Sequence, residues 1–261
     1  MTSIWRTCSE GTRVLQNKTF QSCALAGSFL LLLSLTGASG IAAGETIKGV
    51  VALVDSEARA TRKANPAGAV VWLEPVGTAR RPSAPPKPIA MGQRNQVFVP
   101  HVLAVEIGTA VDFPNNDPIV HNVFSNYDGQ VFDLQLYAPQ TARRVVFRRP
   151  GIVRIFCNIH EAMSAVIAVL PTPYFAVTDR TGRFEIQAPV GDYRLQFWHE
   201  RAQPDVLATL ARPVALGAEP VSLSETQIVT SSQPPAAHKD KYGHDYAQRP
   251  EDSVPYQGAL R

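Results

Sequence analysis

The sequence predicts an all-β protein built from sandwich-like units. Short runs rich in β-branched and aromatic residues recur at spacings of about 8 to 12 residues between turn signals, which is typical of antiparallel sandwiches and barrels. The 261 residues include 21 prolines and 17 glycines, and no long amphipathic helix interrupts the pattern. With 45% hydrophobic and 18% charged residues, a wholly disordered or polytopic membrane chain is excluded. The net charge of +3 is too small to predict nucleic-acid binding.

Residues 1–44 are predicted to be a signal peptide. Basic residues Arg6, Arg13 and Lys18 precede the apolar run ALAGSFLLLLSL, which is shorter than the roughly 20 residues that a membrane-spanning helix needs. The small residues TGASGIAAG that follow offer cleavage sites. We therefore expect a periplasmic or otherwise exported protein with no membrane span after signal cleavage. An uncleaved anchor is the alternative.

The segment 45–76 contains two strand patterns, IKGVVALV and AVVWLEPV. A proline-rich linker is predicted at 77–91, because four prolines and few large apolar residues occur in GTARRPSAPPKPIA. Residues 92–171 then form a second unit of short strands. Their patterns are HVLAVEIG, AVDFPN, HNVFSN, ARRVVFRRPG, IVRIFC and SAVIAVL.

Strand patterns resume at 172–230 with YFAVTD, RFEIQA and YRLQFWHE, followed by weaker candidates after residue 202. Residues 231–261 are rich in Pro, Lys, Asp, Tyr and Gln and contain almost no aliphatic residue before Val254. Such a composition cannot bury a core, so we expect a disordered C-terminal tail.

The motif with candidate metal ligands is FCNIHEAM, in which Cys157, His160 and Met163 have the spacing C-x2-H-x2-M. Thiolate, imidazole and thioether ligands suit copper in both oxidation states. Removing the signal peptide also removes Cys8 and Cys23, so Cys157 would be the lone cysteine of an exported chain, and metal ligation would protect it. His121, at the start of HNVFSN, is the best candidate for the fourth ligand. Two histidines, one cysteine and a weak axial methionine form an electron-transfer copper site.

The neighbours of these ligands support the same interpretation. Asn122 follows His121 directly and could tie the two ligand segments together by hydrogen bonding. Phe113, Phe124 and Phe156 could supply a dry shell around the site. The other histidines, His101, His199, His238 and His244, contain no HxH pair and are expected to be structural or solvated, so an enzyme with a second copper cluster is not predicted.

The stretches FVPHVLAVEIGTAVDFPNNDPIVHNVFS and IVRIFCNIHEAMSAVIAVL resemble a cupredoxin, the blue copper family that includes plastocyanin. The C-x2-H-x2-M loop has the amicyanin spacing. The resemblance implies a Greek-key β-sandwich, one type 1 copper ion held by His121, Cys157, His160 and Met163, and one-electron transfer through the more exposed histidine. About 75 residues is short for this fold, so either a strand is missing or a neighbouring segment supplies it.

The flanks resemble another family. IKGVVAL with AGAVVWLEPV, and VTDRTGRFEIQAPVGDYRLQFWHE, resemble the two halves of a carboxypeptidase regulatory-like domain. Because neither half should bury a sandwich core alone, we expect the copper domain to be inserted between halves that close into one immunoglobulin-like sandwich. A single fused unit is the alternative.

These observations predict an exported, non-enzymatic electron carrier that meets a transient protein redox partner, either a cytochrome or a dehydrogenase. His160 should lie closer to solvent than His121 and provide the electron exit, with Ile159, Ala162 and Ala165 as a small apolar docking patch. A copper-storage or copper-delivery protein, or an envelope binding module with structural copper, are the alternatives. The sequence does not predict the oligomeric state.

Overall fold

A computed structural model describes residues 45–55, 65–77, 86–126, 129–231 and 238–246. The predicted signal peptide, residues 1–44, lies outside the described residues. Within them, no helix has the length and apolar character required to cross a membrane. The described chain is nearly all β, as the sequence predicts.

The first nine strands include β8, which begins at His121. Their bounds are β1 Glu45–Asp55, β2 Val70–Pro75, β3 Ile89–Ala90, β4 Gly92–Arg94, β5 Val97–Val99, β6 Val102–Glu106, β7 Ala110–Pro114, β8 His121–Ser125 and β9 Phe132–Tyr137. The remaining elements are β10 Ala142–Val146, β11 Gly151–Phe156, β12 Ser164–Leu170, β13 Phe175–Val177, β14 Arg183–Ala188, β15 Gly191–Trp198, α1 Pro204–Leu210, β16 Arg212–Leu216, β17 Val221–Ser222 and β18 Thr226–Thr230.

The flanking segments 45–75 and 175–230 build one pair of sheets. Strand β1 pairs antiparallel with β14 and parallel with both β17 and β18, while the second sheet has the order β13-β2-β15-β16. Strand β14 alternates exposed and buried residues, so Phe184, Ile186 and Ala188 enter a shared apolar core. Period-two alternation of this kind is the direct consequence of strand geometry.

The segment 89–170 builds the other group of sheets. A five-stranded sheet has the order β6-β12-β11-β8-β9, and a three-stranded sheet has the order β10-β7-β3. Strands β4 and β5 form a separate antiparallel hairpin. The core of this unit contains Met91, Phe113, Phe147 and Cys157. Strand β3 and Met91 lie within the segment 77–91, where the sequence predicts a linker.

A third apolar cluster lies where the two groups of sheets meet. Val102 and Ala104 of β6, together with Ala168 and Leu170 of β12, pack with Val70 of β2. Trp72, Phe175, Val177 and Trp198 of the flanking sheet lie against this cluster. The flanking sheets therefore support the face of β6 and β12, and β12 begins immediately after the motif FCNIHEAM.

Several elements lie outside the predicted strand patterns. Strand β9 is an edge strand with only its last residue buried, and the hairpin of β4 and β5 has strands of three residues each. Helix α1 has seven residues, none of them buried. Short or edge elements carry a weak hydrophobic pattern because they bury few side chains, and the strands among them are stabilised by backbone pairing with a neighbour instead. Of strands β3 to β5 and β9, only β3 lies in the neighbouring segment 77–91, and it pairs with β7 of the unit 92–171.

The C-terminal segment differs from the predicted disordered tail. Residues 238–246 contain one turn and contact the five-stranded sheet and the loop after β11. Within the predicted tail, hydrogen bonds and one stacked ring connect these nine residues to the sheet in place of an apolar core. Residues 247–261 lie outside the described part of the chain.

Gly182 in the turn TDRTGRF is predicted to tolerate no side chain. Its φ is +79° and an added Cβ would lie 2.0 Å from the backbone oxygen of Val51. Gly77 has a similar φ of +80°, and no atom of the described residues lies within 4 Å of such a Cβ. Gly77→Ala should cost about 1 kcal/mol of unfolding free energy from backbone conformation alone, whereas Gly182→Ala should cost several times more. Equal midpoints in urea denaturation of the two variants would contradict this prediction.

Candidate metal centre

The loop between β11 and β12, residues 157–163, is called the ligand loop below. The two strands pair antiparallel from Gly151↔Val169 to Phe156↔Ser164, so the loop begins and ends at adjacent positions. Inside it, the N–H of Cys157 donates to the carbonyl of Met163 at 3.1 Å, and the N–H of Met163 donates to the carbonyl of His160 at 3.0 Å. These hydrogen bonds hold Cys157, His160 and Met163 in one tight turn.

His121 reaches this turn because β8 pairs with the end of β11 at Phe156↔Phe124. The Sγ atom of Cys157 lies 3.9 Å from Nδ1 of His121 and 3.6 Å from Nδ1 of His160. The centroids of the two imidazole rings are 4.9 Å apart. The three residues form the one group of at least three His, Cys, Asp or Glu side chains with metal-ligand spacing in the described part of the chain, with all donor atoms within 4.8 Å.

The spacing of the donor atoms fits a metal ion. Bonds of about 2.0 Å to nitrogen and about 2.3 Å to sulfur, at tetrahedral or trigonal angles, would separate the nitrogen and sulfur atoms by about 3.5–3.7 Å. The observed separations of 3.6 and 3.9 Å lie close to that range. One thiolate and two imidazoles form a set that suits copper or zinc and does not suit magnesium or calcium.

Met163, the predicted axial ligand, is fully buried and lies in the same apolar cluster as Cys157. Val123, Tyr137 and Phe113 belong to that cluster as well. The centre is therefore lined by apolar side chains on its inner side, which keeps water from this part of the site.

Asp117 is a site residue that the sequence reasoning missed. Its Oδ2 atom lies 2.8 Å from Nε2 of His121, and both side chains are nearly inaccessible to solvent. A carboxylate only accepts hydrogen bonds, so the proton of a neutral His121 is on Nε2 and the lone pair of Nδ1 faces Cys157. Metal-binding histidines commonly donate their other N–H to such an oxygen. An acidic residue four positions before His121, in the turn-rich FPNNDPIVH, is the signal that could have identified it.

The loop around Asp117 keeps its carboxylate charged. Burial alone would raise the pKa of Asp117, but hydrogen bonds from the N–H of Gln96, from His121 and from the N–H of Asn95 outweigh burial, and the pKa is lowered. Asn95 and Gln96 both have positive φ, so their N–H groups converge on one carboxylate. The hairpin of β4 and β5 thus supports His121 through Asp117.

Asn122 and two of the predicted shell phenylalanines lie away from the inner cluster. The side-chain amide of Asn122 donates to Oδ1 of Asp133 on β9 at 2.7 Å, so this hydrogen bond joins β8 to β9. Its Oδ1 has no hydrogen-bond partner among the described residues. Phe124 and Phe156 pack on each other with centroids 5.9 Å apart, whereas Phe113 lies in the inner cluster.

The remaining described histidines make other contacts. His101 pairs with Glu200 at 2.9 Å, and His238 stacks on Phe156 with centroids 4.0 Å apart. His199 is buried, and burial lowers its pKa to about 4. His244 is exposed in the C-terminal segment.

Exposure differs between the two histidines of this group as the sequence predicts. His121 is fully buried, whereas His160 is 8% exposed. Of the predicted apolar patch, Ala162 is exposed and Ile159 is half-buried, but Ala165 is 2% exposed and belongs to the core. Ala165 points inward because strand alternation places it with Ile167 and Val169.

Comparisons with known proteins give partial matches. No family model matches the chain. Over 59 residues the chain is 41% identical to a methylamine utilization protein, MauL, of Methylorubrum extorquens, a match that covers 22% of this chain and 52% of that protein. The chain thus spans about half the length of the curated relative that it matches.

Two solved structures illustrate the structural matches. A purple cupredoxin from Nitrosopumilus maritimus is 22% identical, with coverage of 32% of this chain and 99% of that chain and a TM-score of 0.29. A reduced amicyanin mutant is 19% identical, with coverage of 36% and 100% and a TM-score of 0.30.

We predict that Asp117→Asn weakens metal binding. The amide would present a donor or a neutral oxygen to His121 and would no longer hold the required tautomer as firmly. Loss of such a partner lowers metal affinity by about 10- to 100-fold, which a Cu(I) competition titration against a chelator measures. Asp112→Asn is the matched control, because Asp112 pairs with Arg144 on the exposed surface of β7 and β10. Equal affinities of the two variants would contradict the role of Asp117.

Proposed function

We propose that residues 92–171 form a cupredoxin-like copper domain and that the exported protein is a one-electron carrier with one type 1 copper ion. The observation that carries this proposal is the convergence of His121 Nδ1, Cys157 Sγ and His160 Nδ1 within 4.8 Å in a buried site. Met163 is the proposed axial ligand. A bound copper ion would supply the one-electron couple, and no substrate reaction is proposed.

The chain contributes a site that is built before metal enters. The two backbone hydrogen bonds of the ligand loop orient Cys157 and His160, and Asp117 orients His121. Burial of Cys157 and Met163 keeps water from the inner side. A site whose ligands are held in place changes little between oxidation states, and this small reorganisation favours rapid electron transfer.

We further propose that electrons leave through His160, because it is the more exposed histidine of the pair. Ala162 and Ile159 lie beside it in the ligand loop and offer a small apolar contact for a transient partner. A cytochrome or a dehydrogenase is the proposed class of partner. Similarity to a protein named for methylamine utilization supports an amine-oxidising route as the setting, in the periplasm or another exported location.

The first test is the copper spectrum of the purified protein. On addition of Cu(II), the wild type should develop an intense thiolate-to-copper visible band that ascorbate bleaches, and Cys157→Ser should abolish the band because the serine hydroxyl is not a thiolate ligand. A colourless protein that prefers zinc would contradict electron transfer and favour structural or storage roles.

Two methionines provide the matched comparison for this test. Met163 and Met91 are both fully buried in the same cluster, so Met163→Leu and Met91→Leu should disturb packing similarly. Only Met163→Leu should change the reduction potential, while the blue band persists in both.

A Cys157→Ser variant that stays blue would show that the ligand assignment is wrong.

We also propose that the copper domain is inserted between two halves of an immunoglobulin-like sandwich related to carboxypeptidase regulatory-like domains. Strands from 45–75 and 175–230 pair with one another, and strands from 89–170 pair among themselves, which supports this arrangement. In the flanking unit, the hydroxyl of Tyr193 donates to the carbonyl of Pro189, four residues upstream, at 2.8 Å. A tyrosine corner of this kind is typical of immunoglobulin-like sandwiches.

Expression of residues 86–171 alone tests the insertion. This segment keeps β3 and Met91, which the shorter predicted range 92–171 would omit. We expect it to fold and to develop the blue band, with lower solubility than the full chain because the face containing Val102 and Leu170 loses its cover. Failure to fold, measured by circular dichroism, would instead support a single fused unit.

A further inference from the structure

The described C-terminal segment, residues 238–246, is called the strap below, and it contacts the ligand loop at three points. The hydroxyl of Tyr246 donates to the backbone carbonyl of Cys157 at 2.8 Å. The N–H of Lys241 donates to Oδ1 of Asn158 at 2.9 Å. Nε2 of His238 donates to the carbonyl of Glu161 at 2.8 Å. All three acceptors belong to the loop that carries Cys157 and His160.

The strap also contacts strand β9, which pairs with the strand that carries His121. Nζ of Lys241 lies 2.8 Å from Oδ2 of Asp133 on β9, and Asp133 accepts the side-chain amide of Asn122, the residue after His121. The hydrogen bond to Asp133 raises the pKa of Lys241. The strap thus connects the ligand loop with the edge of the sheet that carries His121.

An aromatic contact closes the outer face of β11. The imidazole of His238 stacks on Phe156, which directly precedes Cys157, with centroids 4.0 Å apart and an interplanar angle of 29°. The ring of Tyr246 stands edge-on to His238 at 5.2 Å. Phe156 is therefore covered on the face that points away from the inner cluster.

The strap is a small ordered structure in its own right. Oδ1 of Asp240 accepts the N–H groups of Tyr242 and His244 at 2.9 and 2.8 Å, and the N–H of Asp240 donates to the carbonyl of His244. Gly243, with a φ of +85°, allows the chain to reverse within this turn. The turn sets the spacing at which Lys241 and Tyr246 meet the ligand loop.

We propose that the strap is a positioning element for the metal centre, with Tyr246 and Lys241 as its positioning residues. It holds the outer side of the ligand loop, while the backbone hydrogen bonds to Met163 and His160 hold the inner side. Through Asp133 it also fixes the strand that carries His121. The expected effect on copper binding rests on the proposed function. The hydrogen bonds between the strap and the ligand loop do not require a bound metal.

The first experiment measures amide hydrogen exchange in the metal-free full chain. Tyr246→Phe should speed exchange of the Cys157 and Met163 amides by roughly 3- to 10-fold, because one net hydrogen bond to the loop is lost. Tyr193→Phe is the matched control, since its hydroxyl also donates to a backbone carbonyl at 2.8 Å, but in the flanking sheets. That variant should leave the ligand-loop amides unchanged.

The second experiment measures the rate at which copper-loaded protein releases copper to a chelator. A chain ending at residue 237 and the Lys241→Met variant should both release copper several-fold faster than Tyr193→Phe.

Unchanged exchange of the loop amides in Tyr246→Phe and in the shortened chain would overturn the proposal. Faster exchange with an unchanged release rate would overturn it too, because the strap would then be structural only. A wild type that forms no blue site would refute the proposed function and leave the exchange result to decide the restraint.

Discussion

The antiparallel pairing of β11 with β12 is the constraint on which the rest of the site depends. It runs without a break from Gly151↔Val169 to Phe156↔Ser164, and so brings both ends of a seven-residue loop together. Cys157 and Met163 can then share a backbone hydrogen bond at 3.1 Å. A loop of this length has few conformations once its ends are fixed. The positions of Cys157 and His160 follow from the hairpin.

The hairpin fixes one side of the centre, and the loop before β8 fixes the other. His121 enters at the first residue of β8, where Asp117 holds its Nε2 at 2.8 Å. Placing a carboxylate and an imidazole in a buried site is unfavourable unless hydrogen bonds compensate. Here the two groups bond to each other, and the N–H groups of Asn95 and Gln96 bond to the carboxylate as well. The short hairpin of β4 and β5 therefore helps to orient His121 through Asp117.

Support for the centre comes from three directions in the described chain. The inner apolar cluster lies beneath Cys157 and Met163, the flanking sheets pack against β6 and β12, and the strap contacts the ligand loop from outside. The first and the third of these contact the ligand loop itself, whereas the flanking sheets contact the strand that follows it. Such packing costs conformational entropy once, during folding, so the side chains of the candidate metal centre are already arranged in the folded chain.

The sequence by itself determined the all-β class, the residues of the candidate metal centre that come together and most of the strands near them. Cys157, His160 and Met163 are close in the chain, and strand alternation is a local property, so both can be deduced from short stretches of sequence. His121, 36 positions before Cys157, could be proposed because a strand start follows a turn-rich loop. His160 is more exposed to solvent than His121, and this difference could be predicted because His160 lies in a loop.

Only the tertiary structure decided which residues contact the candidate metal centre. The hydrogen bond of Asn122 to Asp133 and that of Asp117 to His121 depend on which strands become neighbours. The strap has almost no apolar pattern, and its nine residues are ordered by partners some 80 to 110 positions away in the chain. Ala165 was expected at the surface but is buried by its strand. Contacts between distant segments leave little trace in local composition, because their free energy comes from pairing that forms only in the folded chain.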